Sequence, residues 1–142
     1  MPEIKDLPEH VHARLYDLAM AMKDAHEADD VETLEEAFEE MREYCLALVE
    51  EGKEHPHLWE TLGDFSPDND QALEYYERAL MLAERNELPM HSILIGMGER
   101  QAALDNVDEA RDLLKRGLHL ATEAGDADML ARADMILSEL PA

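Results

Sequence analysis

The chain has 142 residues, of which 46% are hydrophobic, and its formal net charge is −23 at pH 7. This length and apolar content suit one globular domain with a core, so the charge does not imply disorder. The acidic excess repels nucleic acid and anionic membranes and attracts basic partners at rates that fall with salt. Solubility alone also explains the charge, and the two explanations stay open.

The N-terminal residues MPEIKDLPEH contain neither the basic region nor the apolar region of a signal peptide. No stretch approaches the roughly eighteen apolar residues that a membrane helix needs. The only cysteine, Cys45, has no partner for an internal disulfide or a zinc site. We therefore expect a soluble, cytoplasmic protein.

Apolar residues recur at helical spacing along the whole chain, interrupted by polar, proline or glycine breaks. Asp30 is placed to cap the start of one helix, and Gly52 to end it. Gly125 separates the last two helices. The pattern predicts a single all-α domain over 1–142, with helix pairs at about 8–52, 56–86 and 89–124 and a final helix at about 126–138.

A short motif recurs in the first helix of each predicted pair: a large residue, another large residue three positions later, and a small residue directly after that. Its copies are Leu15-x-x-Leu18-Ala19, Trp59-x-x-Leu62-Gly63 and Leu94-x-x-Met97-Gly98, with a partial copy at Leu130-x-x-Ala133, where Asp134 replaces the small residue. The copies begin 44, 35 and 36 residues apart.

The second helices of the last two pairs also repeat each other, with a shift of 38 residues. Small and large residues coincide as Ala72 with Ala110, Tyr76 with Leu114 and Ala79 with Gly117. Small residues at these positions let antiparallel helices approach closely. This internal repeat is the strongest signal in the sequence.

These motifs and intervals resemble the tetratricopeptide repeat (TPR) family. The resemblance covers most of the chain and is strongest over residues 57–122. Two departures stand out. The first helix of the second pair is about one turn short, and the second helix of the first pair carries Tyr44 where the family has a small residue. The resemblance implies a right-handed superhelix of about three helix pairs, an α-α solenoid, closed by a C-terminal capping helix.

Catalytic chemistry finds little support in the residues. The three serines lie outside any Gly-x-Ser-x-Gly elbow, and Gly96-Met97-Gly98 lacks the third glycine of a dinucleotide loop. Cys45 lies on an apolar helix face, which predicts a buried, inert thiol. His55 and His57 could bind a metal opportunistically with Glu54, but no histidine pair has helical chelate spacing. We predict no enzyme activity, no catalytic residue, no cofactor and no metal site.

Members of the TPR family typically bind a peptide or a partner helix on the concave face formed by the first helices. Carried over by offset from each motif, the implied partner-binding residues are Tyr16, Met20, His57, Glu60, Asp64, Ser92, Ile95, Glu99 and Met135. This set is acidic with apolar insertions, and it lacks the basic clamp by which some members grip a carboxylate. It implies a basic or amphipathic protein segment as the partner, in an adaptor, chaperone or regulator, and argues against nucleic acid and membranes.

A second function stays open, because a small and highly acidic chain also suits an immunity protein or antitoxin that neutralises a basic toxin such as a nuclease. The oligomeric state is open as well. If Ile136, Leu137 and Leu140 are exposed on the last helix, that end could form a weak homodimer; otherwise we expect a monomer.

Overall fold

The computed structural model describes residues 4–142, and over that range it contains seven α-helices and no strands. The prediction of an all-helical chain is confirmed. The helices are α1 (Glu9–Glu27), α2 (Val31–Glu50), α3 (Pro56–Phe65), α4 (Asn69–Arg85), α5 (His91–Ala103), α6 (Val107–Ala124) and α7 (Ala127–Glu139).

The helix ends follow from local chemistry. The side chains of Asp30, Asp68 and Asp126 each accept a hydrogen bond from the backbone N–H three residues later, at the start of α2, α4 and α7. The predicted cap at Asp30 is thus confirmed. Gly52 and Gly125 adopt left-handed backbone angles, with φ of 81° and 68°; Gly52 lies two residues after the end of α2, and Gly125 directly follows α6.

Helix α3 begins at residue 56, where the second helix pair was predicted to start. Pro56 is its first residue, a position where the missing N–H of proline removes no helical hydrogen bond. Nδ1 of His55 accepts a hydrogen bond from the backbone N–H of His57 at 3.0 Å and caps the helix. The prediction overlooked histidine as a capping residue, since only one of its tautomers can accept this bond.

Helices joined by short turns pack against each other as α1 with α2, α3 with α4 and α5 with α6. A Cβ atom added to Gly98 would lie 2.6 Å from Cγ of Leu114. One added to Gly117 would lie 2.6 Å from Cγ1 of Ile95. Both distances are too short for a larger residue, so these glycines set the spacing between α5 and α6, as the sequence predicts.

Buried side chains form two clusters. The larger one lies mainly among α1 to α5 and includes Trp59, Tyr76 and the thiol of Cys45, so the expected burial of this cysteine is confirmed. The smaller one joins α5, α6 and α7. Helix α5 also contacts both α3 and α7, which brings one side of these three helices onto a common surface.

The last helix turns much of its apolar side inward. Ile136 is buried, and Leu137 and Leu140 are partly buried against the smaller cluster. A homodimer through these residues would need their side chains exposed, and that of Ile136 is not. Within residues 4–142, no helix is both long and apolar enough to cross a membrane.

Candidate functional site

Glu60 lies on α3, partly buried, beside the start of α5. Burial raises the pKa of its carboxyl group to about 7, because the charged form loses hydration. The Ser92 hydroxyl opposes this rise, the nearby Asp64 carboxylate adds to it, and His91 and Arg132 also oppose it. The result is a carboxyl group that exchanges its proton near neutral pH.

Asp64 lies one helical turn after Glu60. Its Oδ1 accepts a hydrogen bond from the hydroxyl of Tyr76 at 2.6 Å. Asp64 keeps exposed surface although protein surrounds it on most sides, which is the environment of a side chain in an open groove. Burial raises the pKa of Asp64, and the Tyr76 hydrogen bond and the charges of Arg132 and Arg100 limit the rise.

Glu99 and Arg132 form an ion pair between α5 and α7. Oε2 of Glu99 accepts hydrogen bonds from the guanidinium of Arg132 at 2.8 and 3.2 Å. Arg132 also lies close enough to Glu60 and Asp64 to influence the pKa of each. Three carboxyl groups from two helices therefore surround one arginine. We call Glu60, Asp64, Ser92, Glu99 and Arg132 the acidic face.

Two further contacts fix the helices that carry the acidic face. The guanidinium of Arg100 donates to the backbone carbonyls of Gly63 and Asp64, at 2.9 and 3.1 Å, and to Oδ1 of Asn69 at 3.0 Å. This places a cation at the C-terminal end of α3, where the helix dipole favours it. Nε2 of His91 lies 2.8 Å from Oδ2 of Asp126, which joins the starts of α5 and α7.

The structure brings together four of the predicted partner-binding residues: Glu60, Asp64, Ser92 and Glu99. Sequence reasoning missed Arg132 and Arg100, whose roles depend on residues more than thirty positions away. Motif offsets could not reveal these contacts. The scarcity of basic residues was the only signal for Arg132, since an arginine among so many acids is expected to find a carboxylate; it gives no signal for Arg100, which donates to carbonyl and amide oxygens.

The other predicted residues are distributed differently. Tyr16 and Met135 are exposed over 65% and 57% of their surfaces, on α1 and α7, and Met20 is partly buried on α1. His57 is partly buried, with its ring centroid 5.2 Å from that of His12. Burial, His12 and His55 lower the pKa of His57, so its ring is neutral at pH 7.

Ile95 requires a correction. It is fully buried in the smaller cluster, against Gly117, and offers no surface to a partner. The offset that placed it on the binding face assumed that every third or fourth position of α5 faces outward. Because α5 packs against α4, α6, α3 and α7, almost all of its circumference is covered. Ile95 is therefore removed from the partner-binding set.

The histidines near α3 have local partners. Nδ1 of His55 is occupied as the helix cap, and Oε2 of Glu54 accepts a hydrogen bond from Nε1–H of Trp59 at 3.1 Å. Among residues 4–142, no three histidine, cysteine, aspartate or glutamate side chains are grouped in a way that could hold a metal ion. Burial raises the pKa of the Cys45 thiol to about 12, which disfavours the reactive thiolate.

No protein-family model matches this chain, and no curated protein matches it in sequence.

Proposed function

We propose that this chain is a TPR-like superhelix of three helix pairs and a capping helix, and that it is a non-enzymatic protein-binding module. Its partner is a basic or amphipathic segment of another protein. The segment lies across the first helices of the pairs and α7, in contact with Tyr16, Met20, His57, Met135 and the acidic face.

The packing of equivalent residues supports the repeat. Tyr76 and Leu114, which correspond by the shift of 38 residues, each place a large side chain directly over a glycine of the preceding helix. The ring of Tyr76 lies over Gly63, and the side chain of Leu114 over Gly98. Two helix pairs thus use the same contact between their members, as repeats do.

The charge of the acidic face is the observation that carries the binding proposal. Glu60, Asp64 and Glu99 lie near the guanidinium of Arg132, and the charge of Arg100, which donates to backbone carbonyls, also acts on Asp64. A lysine or arginine of a partner would favour the ionised form of Glu60 and pair with it. Partly dehydrated carboxylates interact more strongly with a cation than fully hydrated ones.

Affinity capture tests this proposal. The tagged protein retains partners from its native cell extract, and the retained proteins are identified by mass. The E60Q/E99Q variant removes the charge of Glu99 and the partly ionised carboxyl group of Glu60 from the acidic face, while E74Q/E77Q removes two exposed charges from α4. We expect E60Q/E99Q to lose most of the captured partner and E74Q/E77Q to retain it. Equal losses, or no partner captured by the unaltered protein, contradict the proposal.

The immunity-protein alternative is favoured by a different surface. Glu35, Glu36, Glu39, Glu40 and Glu43 are all exposed along α2, and such a surface attracts a basic toxin by long-range steering. Under this alternative the captured partner is one basic protein that is toxic when expressed alone. Its association rate falls steeply with salt, and E36Q/E43Q weakens it more than E60Q/E99Q does.

A further inference from the structure

An apolar groove lies at one end of the first helix pair, and the short α3 leaves it open. Helices α1 and α2 have 19 and 20 residues, whereas α3 has 10. At about 1.5 Å per residue, α3 is about 15 Å long and α1 about 28 Å. Side chains from the end of α1, the start of α2 and the last residues of α3 therefore border an open space instead of another helix.

The groove has a volume of about 470 Å³, within the range of pockets that hold small ligands or a few side chains. Its apolar lining includes Met22 from α1, Leu34 and Phe38 from α2, and Phe65 from α3. Val31, at the start of α2, also lines it and keeps 63% of its surface exposed. An open apolar surface of this kind favours contact with another apolar group.

The charges at the groove select its occupant. Carboxylates of Glu35 and Asp64 line it, together with Lys23 and His26. The stretch 1–66, which contains almost the whole lining, has 19 acidic and 5 basic residues. This charge favours a basic segment, and at −23 per chain it opposes a second copy of the same protein. Asp64 belongs to both the groove and the acidic face, so one segment can reach both.

We propose that this groove receives an apolar side chain of a basic amphipathic segment from another protein, with Asp64 holding a neighbouring lysine or arginine of that segment. The inference rests on the proposed protein-binding function and assigns the apolar part of the partner to a place outside the acidic face. It also gives the shortened α3 a role, because a longer helix would cover the groove.

A synthetic peptide serves as the probe: a fluorescent amphipathic helix of leucine and lysine, measured by anisotropy at physiological salt. V31K places a cation at the groove, and M81K places the same charge on α4, where Met81 is 47% exposed. We expect V31K to weaken binding about tenfold and M81K to weaken it about twofold or less. Equal effects of the two variants, or no binding of the peptide by the unaltered protein, overturn the inference.

A second measurement does not depend on a variant. On titration with the peptide, we expect the methyl resonances of Val31 and Leu34 to shift, and those of Leu118, on α6, to stay unchanged. A matching peptide of leucine and glutamate should not bind; if it binds as well as the lysine peptide, the charge argument is wrong. A concentration-dependent dimer that V31K abolishes would instead assign the groove to self-association.

The two proposals can fail separately. If E60Q/E99Q abolishes capture of the natural partner while V31K leaves both capture and peptide binding unchanged, the acidic face stands and the groove inference is overturned. If V31K weakens both capture and peptide binding while E60Q/E99Q and E74Q/E77Q have equal effects on capture, the groove stands and the acidic face does not bind the partner.

Discussion

Glu60 allows a direct test of the electrostatics of the acidic face. Burial raises the pKa of its carboxyl group from 4.5 to about 7 in the folded chain. Between these two pH values the folded chain retains a proton that the unfolded chain has released. Folding stability therefore falls as pH rises through this window, and the favourable contribution of the protonated form is lost above pH 7.

The expected size follows from the two pKa values. One pKa unit corresponds to about 1.4 kcal/mol, so the contribution of Glu60 to the free energy of unfolding decreases by about 2 to 3 kcal/mol between about pH 5 and about pH 8. The E60Q variant has no proton to release and lacks this decrease. Because other carboxylates also titrate, the informative quantity is the difference between the two proteins, measured by urea denaturation at both pH values.

The control is E77Q, which removes the same charge from an exposed position on α4. We expect its stability to follow that of the unaltered protein with pH, whereas the curve of E60Q flattens relative to both. If the curves of E60Q and the unaltered protein run parallel between these pH values, Glu60 is hydrated like a surface carboxylate. The description of the acidic face as a partly dehydrated surface would then be wrong.

Three further predictions concern the frame that holds the acidic face. Gly98→Ala places a methyl group against Leu114, and we expect it to lower the free energy of unfolding by about 1–3 kcal/mol in urea, although alanine is the better helix former; a more stable variant would refute the close approach of α5 and α6. Glu87 has a left-handed φ of 54°, so Glu87→Gly should raise the stability by about 1 kcal/mol, while the control Glu84→Gly within α4 should lower it by a similar amount. If Glu87→Gly and Glu84→Gly change the melting temperature equally and in the same direction, this reasoning is contradicted. Arg100→Met removes hydrogen bonds to the end of α3, and we expect a loss of about 2 kcal/mol with faster amide hydrogen exchange in α3; unchanged exchange would show that Arg100 does not hold this junction.

The secondary structure could be predicted because its causes are local. Helical spacing of apolar residues, the aspartate at position 30 and the glycines at 52 and 125 act over a few residues, and each is found as expected. Helix α3 starts where the second pair was predicted to start, although its cap, the side chain of His55, was not predicted. Close helix contacts at Gly98 and Gly117 were also predictable, since small residues recur at fixed intervals.

The candidate site was predictable only in part. Motif offsets selected Glu60, Asp64 and Glu99, which do lie near one another, but the same offsets selected the buried Ile95. Spacing along a helix shows which residues share a side. It does not show how many neighbouring helices cover that side, and α5 contacts four of them.

The sequence by itself therefore determined the helices, their ends and the pairs that pack closely, because propensity, capping and small-residue spacing are properties of short stretches. Only the tertiary structure decided that Arg132 joins the carboxylates of α3 and α5, that the pKa of Glu60 rises, and that a groove remains open beside Phe65. The physical reason is that burial and electrostatic interaction depend on distances between helices far apart in the chain, and on the length of one helix relative to its neighbours.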